Sequence, residues 1–407
     1  MEEWKEYKLG EVCTKIGSGA TPKGGKEAYL GGNTSLIRSQ NVLDFSFSWD
    51  GLAYINEEQA TKLNGVEIEN GDVLLNITGD SVARACIVPK SALPARVNQH
   101  VSIVRGDASI VLNDYIMYFL QFKKPYLLSL SQGGATRNAL TKGMIEDLPI
   151  PLPPLSKQSE IAHVLKSLDD KIEVNRRIND NLEQQAMALF KSWFVDFEPF
   201  KDSEFEEMEQ GSIPKGWKAG TLEDITAQKT ERVGGRDDVK VLSPVTTGRL
   251  MLSEEFFTKQ VFSESIAKYK VVEIGDFAYN PARVNIGSLG RNNYDFDGCV
   301  SPVYVVFSCK DGYAHLFDLY RKTEKFKTEV NLRAIGGVRQ SLNYKDFAFI
   351  QCVIPPPHVV EEFNAIYNHL LVMQKHTDDE SERLASLRDT LLPKLMSGEM
   401  NLDNVNM

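Results

Sequence analysis

Two stretches of the chain carry apolar residues at helical spacing. Ile161, Leu165, Leu168, Ile172, Asn175, Asn179, Leu182, Ala186, Leu189 and Trp193 step by four and three without a break. This is a heptad seam with two asparagines in its middle. A second seam runs Phe363, Ile366, Leu370, Met373, Thr377, Glu380, Leu384, Leu387 and Leu391, again apolar at both ends and polar at the centre. A helix of about 35 residues is on the order of 50 Å long, and it cannot bury so narrow a stripe alone. The two seams are therefore expected to pack against each other. The segment from about Val195 to Pro214 is short and acidic, so the second helix should start near the end of the first and run back antiparallel. The expected molecule is a dumbbell with a pseudo-twofold axis, its register fixed in part by Asn175 and Asn179.

Ahead of each seam the pattern shortens to β-like runs, in the first segment VLLNI, ACIVP and HVSIV, punctuated by Gly, Asn and Asp. A helical stretch at Asn113–Phe122 interrupts them. Each such region reads as one α+β globule. The globules also repeat one another. GATRNALTKGMIEDLPIPLPP at 134–154 returns 202 residues later as GGVRQSLNYKDFAFIQCVIPP at 336–356. Trp4-Lys5 returns as Trp217-Lys218, NGDVLLN as IGDFAYN, and HVSIV as PVYVV. After each globule comes a proline run, PIPLPP at 149–154 and IPPP at 354–357. Proline cannot continue a strand ladder and suits the first turn of a helix, so these runs are expected to end a globule and start a helix. The resulting division is a first globule over 1–152, a helix over 153–200, a linker over 201–216, a second globule over 217–354, a helix over 355–400 and a tail over 401–407.

A length of 407 residues suits two or three domains. The N-terminus MEEWKEYKLGEV is acidic, and apolar runs such as Tyr115–Leu120 are too short to span a bilayer. These features give the expectation of a cytoplasmic protein with no membrane partner. Five cysteines, Cys13, Cys86, Cys299, Cys309 and Cys352, include no CxxC pair and read as free thiols. The six histidines are scattered and complete no metal set. The net charge of −10 argues against a nucleic-acid partner until it is divided. The segments 1–152, 153–213, 214–354 and 355–407 carry −2, −6, +3 and −5. The globules are thus near neutral, and either could hold a basic face.

Catalytic motifs fail one by one. GSGATPKGGKE at 17–27 has Gly25 where a phosphate loop needs Lys, and Glu27 where it needs Ser or Thr. NPAR at 280–283 is close to the tetrapeptide of amino-methyltransferases that holds a flipped base, but Arg283 replaces its aromatic residue. No Gly-x-Ser-x-Gly elbow or HExxH appears. Polar loops carrying arginine and amides remain. In the first globule they bring Arg38, Gln40, Asn41, Asn76, Arg84, Arg137 and Asn138 beside glycines; in the second, Asn280, Arg283, Arg291, Arg339 and Gln340. Arginine matches guanine and Asn or Gln matches adenine in the major groove, so these twelve are the candidate DNA contacts. Such residues are also ordinary turn formers. The aromatic cluster of Phe190, Trp193 and Phe194 reads either as core packing or as a docking face for a partner.

The chain resembles a specificity (S) subunit of a type I restriction-modification system over essentially its whole length. The resemblance rests on WKEYKLGEV leading to GSGATP and LIRSQNV, on NGDVLLNITG, and on LPIPLPPLSKQSEIAHVLKSLDDKIEVN. It continues through ALFKSWFVDF, IPKGW and LASLRDTLLPKLMSGE. It implies two target-recognition domains, each reading half of a bipartite, asymmetric double-stranded DNA sequence, with the paired helices as ruler and docking surface. It implies a chain without catalysis or a cofactor of its own. Two modification subunits would supply S-adenosylmethionine and adenine methylation, and two restriction subunits would bring ATP, Mg and translocation. A self-contained DNA-modifying enzyme with degenerate motifs, and a helical adaptor that binds no DNA, are the alternatives.

Overall fold

The computed structural model describes residues 4–22, 29, 31–132, 138–208, 211–256, 265–310, 312–334, 341–400 and 402. The chain divides into two compact units. One comprises Met1–Arg177 with Thr377–Met407, and the other Ile178–His376. Each unit therefore includes part of both long helices, Leu155–Phe194 and Pro357–Met396.

In the first unit, Val73–Asn76 lies in a four-stranded antiparallel sheet, between Val101–Gly106 and Ala85–Ile87, with Cys13–Ser18 on the far side of Val101–Gly106. All four residues of Val73–Asn76 are buried, because the sheet is covered on both faces. Val73 and Leu75 join a core with Tyr115, Ile116 and Phe119 of the helix Asn113–Phe122. Leu74, on the opposite face, joins Ile37 and Val97. These belong to a three-stranded sheet in which Thr34–Ile37 pairs antiparallel with Ala53–Ile55 and parallel with Ala95–Val97. The two-residue alternation of a strand thus feeds two cores at once.

The second unit repeats this plan. Phe277–Tyr279 lies between Val305–Cys309 and Leu289–Arg291, with Thr226–Lys229 outermost. Phe277 and Tyr279 enter one core, Ala278 another. Lys240–Pro244 pairs antiparallel with Leu250–Leu252 and parallel with Gly298–Val300. The repeated Gly-Asp explains itself in the turn before each central strand. Gly71 and Gly275 sit at φ +84° and +87°, where glycine is favoured. The next residue closes the turn, with Asp72 and Asp276 accepting from the backbone N–H of Glu69 and Glu273. Arg105 pairs with Asp72, and Lys229 with Asp276.

The proline runs depart from expectation. Pro149–Leu152 is itself a strand, antiparallel to Lys5–Lys8, and Gln351–Ile354 pairs likewise with Lys218–Thr221. Both ladders have only two strands, so Pro149 and Pro151 can turn their missing donors to an open edge. The two most repeated phrases of the chain are hydrogen-bonded neighbours. The linker contains a hairpin, Phe205–Met208 with Gly211–Pro214.

The first long helix buries its seam as expected. Ile161 and Leu165 pack in the first unit with Leu392, Leu395 and Met396. Asp169 meets Arg388 at 2.7 Å and Lys171 meets Glu380 at 3.0 Å. As one number rises the other falls, so the segments run antiparallel. Asn175 is fully buried and donates to Glu380 and to Ser381. In the second unit, Phe194 lies 4.7 Å from Phe363, ring centroid to centroid.

The buried stripe of the second helix lies about one residue from the expected seam over part of its length. Ile366, Met373 and Leu387 are exposed, while Tyr367 is buried and Arg388 half-buried. Arg388 takes the inward place beside Leu387 because Asp169 pairs with it and the Phe45 ring lies under its guanidinium, at 3.7 Å. Long polar side chains can hold core positions when paired, which an apolar pattern does not register.

Candidate nucleic-acid interface

In the first unit, the loops that carry the candidate residues converge where the central strand ends, at Asn76. Its side-chain amide donates to the carbonyls of Ser39 (2.9 Å) and Val42 (3.1 Å), tying the 38–42 loop to the sheet. Phe45 N–H donates to Ala85 O, which binds the next turn to the neighbouring strand. The repeated closing phrase docks at the same place. Leu140 N–H donates to Ile77 O and Gly79 N–H to Asn138 O. Thr141 then caps the short helix Lys142–Glu146. Asn98 and His100 come in from the other side, their carbonyls accepting from Gly19 N–H and Ile77 N–H.

The second unit holds the equivalent loops. Leu342 N–H donates to Pro281 O as Leu140 does to Ile77 O, and Asn343 caps Tyr344–Ala348 in the place of Thr141. Asn280 uses its side chain differently from Asn76. It is half-buried and accepts from Ala282 N–H, turning its own loop. The 244–249 turn is joined to this loop through Ser288 Oγ, which donates to Pro244 O at 2.6 Å.

The candidates separate by what their side chains already do. Asn41 and Asn76 are fully buried, and their amides hold backbone carbonyls. This corrects their reading as groove contacts, because a buried amide so engaged does not reach a base. Arg291 is corrected likewise. Its half-buried guanidinium is already engaged, donating to Gly275 O and meeting His315 Nδ1 at 3.0 Å. Burial, and then the charge of Arg291, hold His315 below the ordinary imidazole range. Arg38 and Gln40 face the 50–51 backbone, both donating to Gly51 O. Arg283 is exposed and Arg84 half-buried, and neither guanidinium has a side-chain partner among the described residues. Asn138 is exposed. Arg137, Arg339 and Gln340 lie outside the described residues.

Phe190 and Phe194 are buried, and Trp193 packs edge-on against Phe200 and Phe363. Core packing therefore accounts for this cluster, which corrects the docking reading for its two phenylalanines. Two exposed residues beside the loops escaped the sequence reading, Trp49 and Arg249. Arg249 had a signal in the TTGR turn, where Gly248 takes φ +79°. Trp49 had none, since a lone tryptophan among apolar residues has the composition of a core position.

Burial pushes the thiols of Cys13, Cys309 and Cys352 up to about 12 and that of Cys299 to about 11, which keeps them protonated. Among the described residues, no group of three His, Cys, Asp or Glu side chains could hold a metal ion. Among the described residues, no helix is long and apolar enough to cross a membrane.

Residues 1–184 match the family model of the type I restriction modification DNA specificity domain. The likeness continues beyond them. The chain is 26% identical to the type I restriction enzyme MjaIX specificity subunit of Methanocaldococcus jannaschii, over 99% of this chain and 95% of that one. The chain is a relative of type I restriction enzyme specificity subunits. The HindI specificity subunit of Haemophilus influenzae is 22% identical over 98% of this chain and 100% of its own. The fold agrees with a crystal structure of a type I restriction-modification S subunit from M. genitalium. That structure matches with a TM-score of 0.53 and 13% identity, over 97% of this chain and 96% of that one. Two mixed helix-and-sheet units with two long helices are thus the fold of this specificity-subunit relative.

Proposed function

We propose that this chain is the DNA sequence-specificity subunit of a type I restriction-modification complex. Each unit lays its loop cluster in the major groove and reads one half of a bipartite target. The observation that carries this reading is the recurrence of one loop cluster, built at the end of the same central strand and closed by the same docked phrase, in two units of a chain related to specificity subunits. A protein with two such clusters reads two half-sites at a spacing set by its own frame. The clusters differ in sequence, so the half-sites differ as well. Arg84, Asn138, Arg249 and Arg283 are the side chains of these loops best disposed to meet DNA.

In this proposal the chain performs no catalysis. Two modification subunits bring S-adenosylmethionine and transfer methyl groups to adenine, and two restriction subunits bring ATP and Mg. The test is methyl transfer from labelled S-adenosylmethionine to DNA. The purified chain alone is expected to give none, and the chain assembled with its modification subunits is expected to give sequence-restricted label. Transfer by the isolated chain would overturn the proposal in favour of a self-contained enzyme.

A further inference from the structure

We propose that Trp49 is a specificity-determining contact of the first unit, placed against the edge of a base pair in the major groove. This rests on the DNA-reading function proposed above. Trp49 is 44% exposed, whereas Trp217 is buried and Trp4 and Trp193 are half-buried. An indole presents a large apolar surface, and leaving it in water forfeits the stabilisation its burial would give.

The loop that carries it is held with unusual thoroughness. Asn41 Nδ2 donates to Ser48 O and Asp50 O, at 3.0 and 3.2 Å. Gln40 Nε2 donates to Asp50 O and Gly51 O, at 3.1 and 3.3 Å, and Arg38 also donates to Gly51 O. Ser48 N–H returns a bond to Asn41 O. Gly51 sits at φ +60°, and a Cβ there would lie 2.5 Å from the Gln40 amide. The whole clamp is tied to the strand end by Asn76. The indole itself meets Phe47 edge-on, with centroids 5.1 Å apart, and Phe47 packs against the sheet core.

The side chains that composition marks as base readers, Arg38, Gln40 and Asn41, are therefore occupied in holding a turn, and what that turn presents is Trp49. A rigid aromatic ring loses little freedom on contact, so this arrangement suits recognition by fit. Exposed Asp50 beside it disfavours a phosphate neighbour. A carboxylate instead accepts from the amino group of cytosine in the major groove, while an apolar surface meets the methyl of thymine. Both point Trp49 and Asp50 at base edges.

The test co-expresses the full chain with its modification subunits and maps methylated adenines across the host genome. It compares wild type with W49A, W49F and a control at another exposed aromatic residue of the same unit, Y126A. W49A is expected to lower discrimination at one position of a single half-site by about 10- to 100-fold, with the other half-site and the gap unchanged. W49F is expected to retain part of that discrimination, and Y126A all of it. Methylation of the same motif with unchanged discrimination in W49A would overturn the proposal while leaving the specificity function standing. Absence of sequence-restricted methylation in wild type would overturn the function itself. If W49A abolishes methylation, its melting temperature decides. An unchanged melting temperature with recovery in W49F supports the contact, and a lowered one with equal loss in W49F assigns Trp49 to folding.

Discussion

Arg283 is exposed and has no side-chain partner among the described residues, in a loop where Asn280 and Ser288 are occupied in turns. A phosphate contact from it would add to affinity at every sequence. Arg283→Ala in the assembled methyltransferase is expected to weaken DNA binding several-fold and to reduce the slope of log K against log salt by about 1. Binding measured at several salt concentrations checks this, and identical curves would remove Arg283 from the interface. Arg388 is the opposite kind of arginine. It is half-buried, paired with Asp169 and seated on Phe45, and Asp169 also accepts from Tyr118 OH at 2.7 Å. Arg388→Ala leaves that largely buried carboxylate without its cation and is expected to cost about 3–5 kcal/mol in denaturant unfolding. Asp389, exposed on the next position, is expected to change stability by less than about 0.5 kcal/mol when replaced by Ala.

At the level of elements, the first long helix was legible because its seam is apolar at both ends and carries at its centre an amide, Asn175, that is buried with hydrogen-bond partners on the second helix. The second was less so. Arg388 occupies an inward place that a count of apolar residues assigns to Leu387. The first proline run begins within a short strand, Pro149–Leu152, because a proline's missing donor costs nothing on an unpaired side, and the second follows the corresponding strand, Gln351–Ile354. The candidate site was legible as a set of loops and illegible as a set of contacts. Asn41, Asn76 and Arg291 have the composition of base readers, and only their hydrogen bonds assign them to scaffolding. Trp49 has the composition of a core residue, and only its exposure marks it out. Phe363 is fully buried against Phe194 and Trp193. Phe363→Ala is expected to cost about 3–5 kcal/mol, read as a lowered unfolding midpoint. Removal of seven residues from each long helix shortens it by about 10 Å, roughly three base pairs at 3.4 Å each. The unread gap of the target is expected to shrink accordingly in methylation maps, and an unchanged gap would exclude the helices as its ruler.

For the whole molecule, duplication explains both the likeness and the difference of the units. Strand order, the Gly-Asp turn, the docked closing phrase and the edge ladder recur, so the frame is common. The loops recur in place but not in sequence or in side-chain bonding. Asn76 anchors a neighbouring loop, whereas Asn280 turns its own. Shared frame with divergent loops is the arrangement that two different half-sites require. The most direct measurement replaces residues 218–354 with a copy of residues 5–152 and maps methylated adenines in a host that also carries the modification subunits. The expected result is a symmetric target in which the first half-site occurs twice, with the gap unchanged. Retention of the original asymmetric target by this chimera would contradict it.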